Sequence, residues 1–214
     1  MKNSFKIVLL LSFLLLSIEG FSQDKQIFES PKMEEFIFSH KKVAILPFNA
    51  TIGYRKLPKD FDASANKEAE FKLGYDMQSG MYTYLLRKTS DYTVEVQDVE
   101  RTNAILRKNN LIDKLAETST EELAKVLEVD AVIKCSYAYQ KTKSEGGAIA
   151  LTLLVGFGTG SVATGALTMQ INDGKEGELV WRFYKQMAED VMSSPAAMME
   201  RMMRKVGRNF PYQK

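Results

Sequence analysis

Histidine and cysteine, the residue types that carry much of enzyme chemistry, each occur once in this chain, as His40 and Cys135. Most zinc sites need several Cys or His ligands, and a Cys/His or Ser/His nucleophile pair needs a histidine beside its partner. His40 stands next to Lys41 and Lys42 without candidate ligands nearby, so we expect it on the surface. The sequence therefore predicts no catalytic residues, no metal site and no cofactor, which favours a protein that is not an enzyme.

The carboxylates that could serve as acids or bases fall where ordinary structural roles explain them. Glu121 and Glu122 lie at a predicted helix start, where acidic side chains favour the helix dipole. Asp173 and Glu176 lie in a predicted turn, where capping and solvation account for such residues. We predict that no pair of these carboxylates is placed for acid/base catalysis.

Glycines recur at alternate positions in Gly156, Gly158 and Gly160, after an apolar run. Glycine-rich loops of this general kind can bind phosphate groups. Here the spacing breaks the dinucleotide pattern, and no Lys-Ser or Lys-Thr pair follows as a nucleotide loop requires. We therefore predict no nucleotide site at these glycines.

Soft apolar side chains cluster near the C-terminus, in Met198, Met199, Met202 and Met203. Methionines suit adaptable binding surfaces, but at helical spacing they more often pack in a core, and we favour the core. Cys135 shares a predicted strand face with Ile133 and Tyr137, so we expect a buried, unreactive thiol.

An uncharged stretch runs from residue 146 to residue 172. It has the length of a transmembrane helix, with Gly156 and Gly160 as a close-packing pair. It could also form two β segments that face a membrane or a partner, or an apolar element with a flexible loop over the sheet edge. We predict that residues 146–169 contact or anchor to a partner or a membrane. The residues expected to make that contact are Ile149, Leu151, Leu153, Leu154, Val155 and Phe157.

The elements that would position these residues can be read from hydrophobic periodicity and capping residues. Residues 23–42 form a lead-in segment with one helical turn, and residues 49–70 form a long charged loop. Strands are predicted at 43–48, 92–96, 131–140, 165–172 and 178–187; helices are predicted from 71 to about 89, from 99 to about 110, at 120–128 and after Ser194. This order predicts an α/β (α+β) fold, a mixed β-sheet with helices packed on it. Residues 43–214 would form that single domain, with the apolar insert at about 146–165.

The first twenty-two residues have the order of a secretory signal peptide. Lys2 and Lys6 precede an apolar run over residues 7–18, and Gly20, Phe21 and Ser22 form a small-residue exit. The run is shorter than the roughly 20 residues that span a bilayer, and no cysteine follows it for lipid attachment. The formal net charge of +2 gives no field that would favour nucleic acid. We expect an exported protein of the periplasm or the outer-membrane periphery.

Several segments, taken in order, resemble an envelope family. It includes the curli-secretion lipoprotein (CsgG-like), the lipoprotein activator of penicillin-binding proteins, and the amino-terminal domain of TolB. The segments that carry the resemblance are 43–48, Leu73-Gly74 with Leu85, 92–96, 99–101, Ile105-Leu106, Leu123-Ala124 with Leu127, 129–133, 177–181 and 210–212. The chain departs from that pattern in lacking the lipid-anchor cysteine and in having one uncharged insert where pore formers have two amphipathic hairpins.

The resemblance implies a non-catalytic module that acts by docking to envelope proteins or by assembling with copies of itself. Peripheral membrane contact is also implied, and nucleic acid is not. The sequence-based hypothesis is therefore an exported, non-enzymatic protein of docking or envelope assembly. The alternative is an oligomeric, membrane-associated secretion or pore subunit of the curli-secretion type.

Overall fold

The computed structural model describes residues 25–141, 163–189 and 194–214. In these ranges the strands are β1 (Lys25–Glu29), β2 (Lys42–Ile45), β3 (Asn49–Tyr54), β4 (Glu95–Val96), β5 (Ala131–Lys141), β6 (Ala163–Asp173) and β7 (Leu179–Glu189). The α-helices are α1 (Met33–Ser39), α2 (Ala63–Leu86), α3 (Val99–Lys108), α4 (Thr120–Leu127) and α5 (Pro195–Val206). The predicted α/β class, a mixed sheet with helices packed on it, is confirmed.

The strands form one mixed sheet in the order β1-β7-β6-β5-β2-β4, with β3 also paired to β5. Strand β5 is parallel to β2 over its first residues and to β3 from Ser136 onward, so β2 and β3 follow one another along the same edge of β5. Strands β5, β6 and β7 are antiparallel neighbours, and β1 adds to β7 in antiparallel fashion. Over the described residues the sheet is open, with β1 and β4 at its two ends.

Alternating side chains divide the sheet into two faces, because successive residues of a strand point to opposite sides. One face packs under α2 and α5 and holds the main core, which includes Ile133, Tyr137, Trp181 and Phe183. We call this the inner face. The four methionines of α5 lie in this core, as the sequence predicted, and Cys135 is buried there as well.

The other face, the outer face, is covered by helices only in part. Helices α3 and α4 pack on Ala44, Leu46 and Val132 through Leu106, Leu123 and Leu127. Farther along β5, β6 and β7 the outer face carries polar, half-buried side chains instead. The sheet therefore presents a polar surface beside a small apolar one.

The capping residues confirm several predicted helix starts. The side chain of Asp98 accepts a hydrogen bond from the N–H of Arg101, and Ser119 and Ser194 cap α4 and α5 in the same way. Gly177 has a φ of +71° in the turn between β6 and β7, where glycine is the favoured residue.

The predicted long loop at 49–70 is wrong. Its first part is β3, and α2 begins at Ala63, capped by Asp62, which accepts from the N–H groups of Ser64 and Ala65. The first turns of α2 are largely solvent-exposed and so show no apolar stripe. The lead-in segment also contributes more than one turn, since it forms β1 and α1, and Phe36 of α1 lies in the core.

The uncharged stretch is not one continuous helix, because residues 163–172 belong to β6. Leu167 and Met169 of that strand are buried on the inner face. None of the helices in the described ranges combines the length and apolarity needed to cross a bilayer.

Candidate functional site

The prediction that His40 lies on the surface is wrong. The ring is 2% exposed, with Nδ1 2.7 Å from the hydroxyl of Tyr212 and Nε2 3.0 Å from Oδ1 of Asp173. Both partners are themselves buried. The three side chains join the segment before β2, the β6–β7 turn and the C-terminal residues.

Asp173 caps the turn, as the sequence predicted, but it is buried and not solvated. Its Oδ2 accepts hydrogen bonds from the backbone N–H groups of Lys175 and Glu176. Burial raises the pKa of this carboxyl, but the bonds from His40 and from these two N–H groups outweigh it, so that the pKa is lowered overall. The ionised carboxylate is thus held by donors from both sides.

His40, Asp173 and Tyr212 are residue types that occur in acid/base catalytic sites. All three are buried, however, as is usual for a network with a structural role. Burial, together with the negative charge of Asp173, raises the pKa of Tyr212 and keeps its phenol neutral. A substrate would have to displace packed side chains to reach any of the three groups. We interpret the network as a polar link between distant parts of the chain.

Burial raises the pKa of the Cys135 thiol, which disfavours the reactive thiolate. Glu121, Glu122 and Glu176 are exposed, and the N–H of Glu122 donates to the capping hydroxyl of Ser119. Among the described residues, no group of three or more His, Cys, Asp or Glu side chains is placed to hold a metal ion.

The six predicted contact residues, Ile149, Leu151, Leu153, Leu154, Val155 and Phe157, lie outside the described residues. The structure does show where their segment joins the sheet. Lys141 pairs with Ala163, so residues 142–162 connect two antiparallel strands at one end of the sheet.

Exposed apolar and basic side chains surround this junction. Tyr54 pairs with Lys141 at the end of β3, and the chain then enters a loop. In that loop Leu57 is 60% exposed and Phe61 is 37% exposed. The basic side chains of the loop are Arg55, Lys56 and Lys59, all of which are exposed. We call residues 54–62 together with Lys141 and Ala163 the loop end of the sheet.

The described residues also line a cavity of about 730 Å³ over the polar part of the outer face. We call it the outer cleft. Strands β5, β6 and β7 form its floor, and its walls come from the β2–β3 connection, the first half of α2 and the loop after α3. The polar lining residues used below are Lys67, Glu70, Lys134, Ser136, Thr168, Gln170 and Arg182; the apolar ones are Leu46, Phe71, Tyr75, Ile112 and Leu115.

Two cations stand on the floor of the outer cleft. Lys134 of β5 pairs with Gln170 of β6, and Gln170 pairs with Arg182 of β7. All three are half-buried. Burial lowers the pKa of Lys134, although the negative charge of Glu121 acts in the opposite direction.

The carboxylate of Glu70 in the cleft wall is already engaged. Its Oε1 accepts from the backbone N–H of Ile52 at 2.9 Å and from the side-chain amide of Asn66 at 3.3 Å. Its other oxygen lies 3.6 Å from Nζ of Lys67. Glu70 therefore secures the outer edge of β3 and does not pair with the cations of the floor. Sequence reasoning missed the cleft because its charged residues come from four separate segments of the chain. They are Lys67, Glu70, Asp113, Lys134 and Arg182.

No protein-family model and no curated protein matches the sequence. Among solved structures, the chain is similar to the lipoprotein GNA1162 from Neisseria meningitidis, with 12% identity and a TM-score of 0.45, over 78% of this chain and 94% of that one. It is also similar to the PelC dodecamer from Paraburkholderia phytofirmans, with 15% identity, a TM-score of 0.42, and coverage of 89% and 96%. The LpoB C-terminal domain from Salmonella enterica has 10% identity, a TM-score of 0.35, and coverage of 74% and 94%. At these TM-scores none of the similarities supports a particular function.

Proposed function

We propose that this chain is an exported, non-enzymatic envelope protein that docks to other envelope components through the loop end of the sheet. The observation that supports the proposal is the exposure of Leu57 and Phe61 at the same end from which the uncharged segment departs. The signal-peptide pattern of residues 1–22 supports export of the mature chain.

Physical chemistry favours a partner at this end. Full burial of an exposed Leu or Phe side chain contributes about 1.5–3 kcal/mol of favourable free energy. The sequence of the adjoining connection contains Ile149, Leu151, Leu153 and Leu154 without an intervening charge. An apolar surface of this kind is stabilised when a partner covers it.

The basic residues of the loop indicate the character of that partner. Arg55, Lys56 and Lys59 lie beside the exposed apolar side chains, with only Asp60 and Asp62 as acidic neighbours in the loop. Nζ of Lys141 lies 5.3 Å from the ring centre of Tyr54, which packs edge-on against Phe61 at 5.6 Å. This arrangement suits an acidic, partly apolar surface of an envelope protein.

The double variant Leu57→Ser, Phe61→Ser tests the proposal. Both side chains are largely outside the core, so the fold should persist while association weakens by about tenfold or more, since two buried contacts would be lost. The measurement is the fraction of protein that co-fractionates with envelope complexes, together with the mass of the purified species.

Phe38→Ser is the matched control, because Phe38 is 76% exposed on α1, at the opposite end of the sheet. It should leave fractionation and mass unchanged. The proposal is wrong if the double variant fractionates like the wild type, or if Phe38→Ser weakens association equally.

A further inference from the structure

We propose that the outer cleft binds a small amphipathic anion, a molecule with one carboxylate or phosphate group and an apolar body. Among the described residues, no carboxylate forms an ion pair with the two cations on its floor. The site is separate from the loop end, so this inference does not depend on the proposed docking function.

The floor of the cleft is built to hold one anionic group. Lys134, Gln170 and Arg182 are cross-strand neighbours on three adjacent strands, with their side chains on the same face. Because neighbouring strands lie about 4.8 Å apart, the two cations stand about 10 Å apart at their Cα atoms, with the amide of Gln170 between them. An anion above Gln170 would be within reach of all three long side chains.

The two cations of this floor form no close ion pair, although the negative charge of Glu121 acts on Lys134 from a greater distance. Within the described residues, neither Lys134 nor Arg182 forms an ion pair, and no hydrogen bond involves their side chains or that of Gln170. Half-buried cations without a counter-ion are unfavourable, since burial costs hydration that nothing replaces. An anion from outside would supply the missing contacts, and charge-assisted bonds to Arg and Lys are among the strongest in proteins.

The next row of the floor adds neutral donors. Ser136 pairs with Thr168 one step along the strands, with their hydroxyls on the same face as the cations. Hydroxyls and an amide beside two cations suit the several oxygens of a carboxylate or phosphate. The engaged carboxylate of Glu70 stands in the wall, where its bonds to Ile52 and Asn66 keep it from neutralising the floor.

The apolar side chains of the cleft walls indicate that the same ligand has an apolar body. Phe71, which is 56% exposed, lines the cleft, and Leu46, Tyr75, Ile112 and Leu115 belong to the same apolar lining. A cavity of about 730 Å³ lies in the ordinary range of sites for small molecules. A free inorganic ion would leave most of this surface in contact with water.

Isothermal titration of the purified mature protein with four probes tests the inference. Octanoate and octyl phosphate carry the anion and the body, octanol carries the body alone, and inorganic phosphate carries the anion alone. We expect at least one of the two amphipathic anions to bind at least tenfold more tightly than octanol or inorganic phosphate. The comparison between the two shows whether the anion is a carboxylate or a phosphate.

The variants Lys134→Met and Arg182→Met should each weaken that binding by about tenfold, as expected for the loss of one charge-assisted contact. Both remove a half-buried charge, so both should remain folded, which Trp181 fluorescence would verify. Lys175→Met, an exposed cation in the β6–β7 turn, should bind like the wild type.

The inference is overturned if neither amphipathic anion binds, if octanol or inorganic phosphate binds as tightly, or if both cleft variants retain wild-type affinity. Equal weakening by Lys175→Met would also overturn it, because the effect would then reflect overall charge.

Discussion

At the scale of single residues, the buried carboxylate of Asp173 offers the sharpest test of the polar network. Its pKa is lowered by donors from His40, Lys175 and Glu176, which together outweigh the effect of burial. A lowered folded-state pKa stabilises the fold above the ordinary value of 3.8, and this contribution is lost as the pH falls through the folded-state pKa.

Asp173→Asn should therefore reduce the free energy of unfolding at pH 7 by about 1–3 kcal/mol, the usual cost of breaking buried hydrogen bonds to a charged group. The deficit relative to the wild type should shrink as the pH falls below about 4. Urea denaturation at pH 7 and pH 3, followed by the fluorescence of Trp181, measures both differences. An equal deficit at the two pH values would contradict the assigned role, and Lys175→Met serves as a control in the same turn.

The burial of a residue could be predicted where it follows from the local pattern of its own strand or helix. Cys135 and Met199 follow from alternation along a strand and from helical spacing, and both are buried. His40 could not be placed, because its partners lie 133 and 172 positions away in the chain. The adjacent Lys41 and Lys42 indicated a surface position. Tertiary contacts with Asp173 and Tyr212 bury the ring instead.

At the scale of elements, the first half of α2 protects the open edge of β3. Glu70 accepts the N–H of Ile52, and the amide of Asn66 donates to the carbonyl of the same residue at 3.3 Å. Side chains thereby replace the hydrogen bonds that a neighbouring strand would make, which blunts an exposed edge.

Glu70→Ala should release the N–H of Ile52 and speed its hydrogen exchange by about tenfold, with a loss of about 1 kcal/mol in stability. Amide exchange followed by NMR measures the local effect. Glu68→Ala, an exposed position on the same helix, should leave the exchange of Ile52 unchanged. Unaltered exchange in Glu70→Ala would show that the edge is protected by other means.

Elements with a regular apolar pattern could be predicted from the sequence, whereas strands β1 and β3 and the polar first turns of α2 could not. Strands β5, β6 and β7 alternate clearly, and Asp98, Ser119 and Ser194 mark helix starts. Strand β3 contains Gly53, and β1 is exposed at almost every position, so neither shows a period of two. The outer cleft was missed for a related reason, since only the register of three strands brings Lys134 and Arg182 to the same row.

At the scale of the whole molecule, we expect that the middle of the connection between β5 and β6, which comprises residues 142–162, can be removed without loss of the fold. The two strands pair without interruption from Ala131 with Asp173 to Lys141 with Ala163. Within the described residues, the neighbouring strands β2 and β3 pair with β5, and β7 pairs with β6. We therefore expect the sheet to form without the middle of the connection.

Removal of residues 148–161 should leave a cooperative unfolding transition whose free energy differs from that of the full chain by about 1 kcal/mol or less, because loop-closure entropy changes slowly with length. Denaturation followed by Trp181 fluorescence measures this quantity. Leu167→Asp is the contrasting variant: it places a charge on the buried inner face and should cost several kcal/mol. A broad transition in the deletion variant would mean that the segment belongs to the core of the domain. A sharp transition would leave the segment free to contact a partner in the envelope.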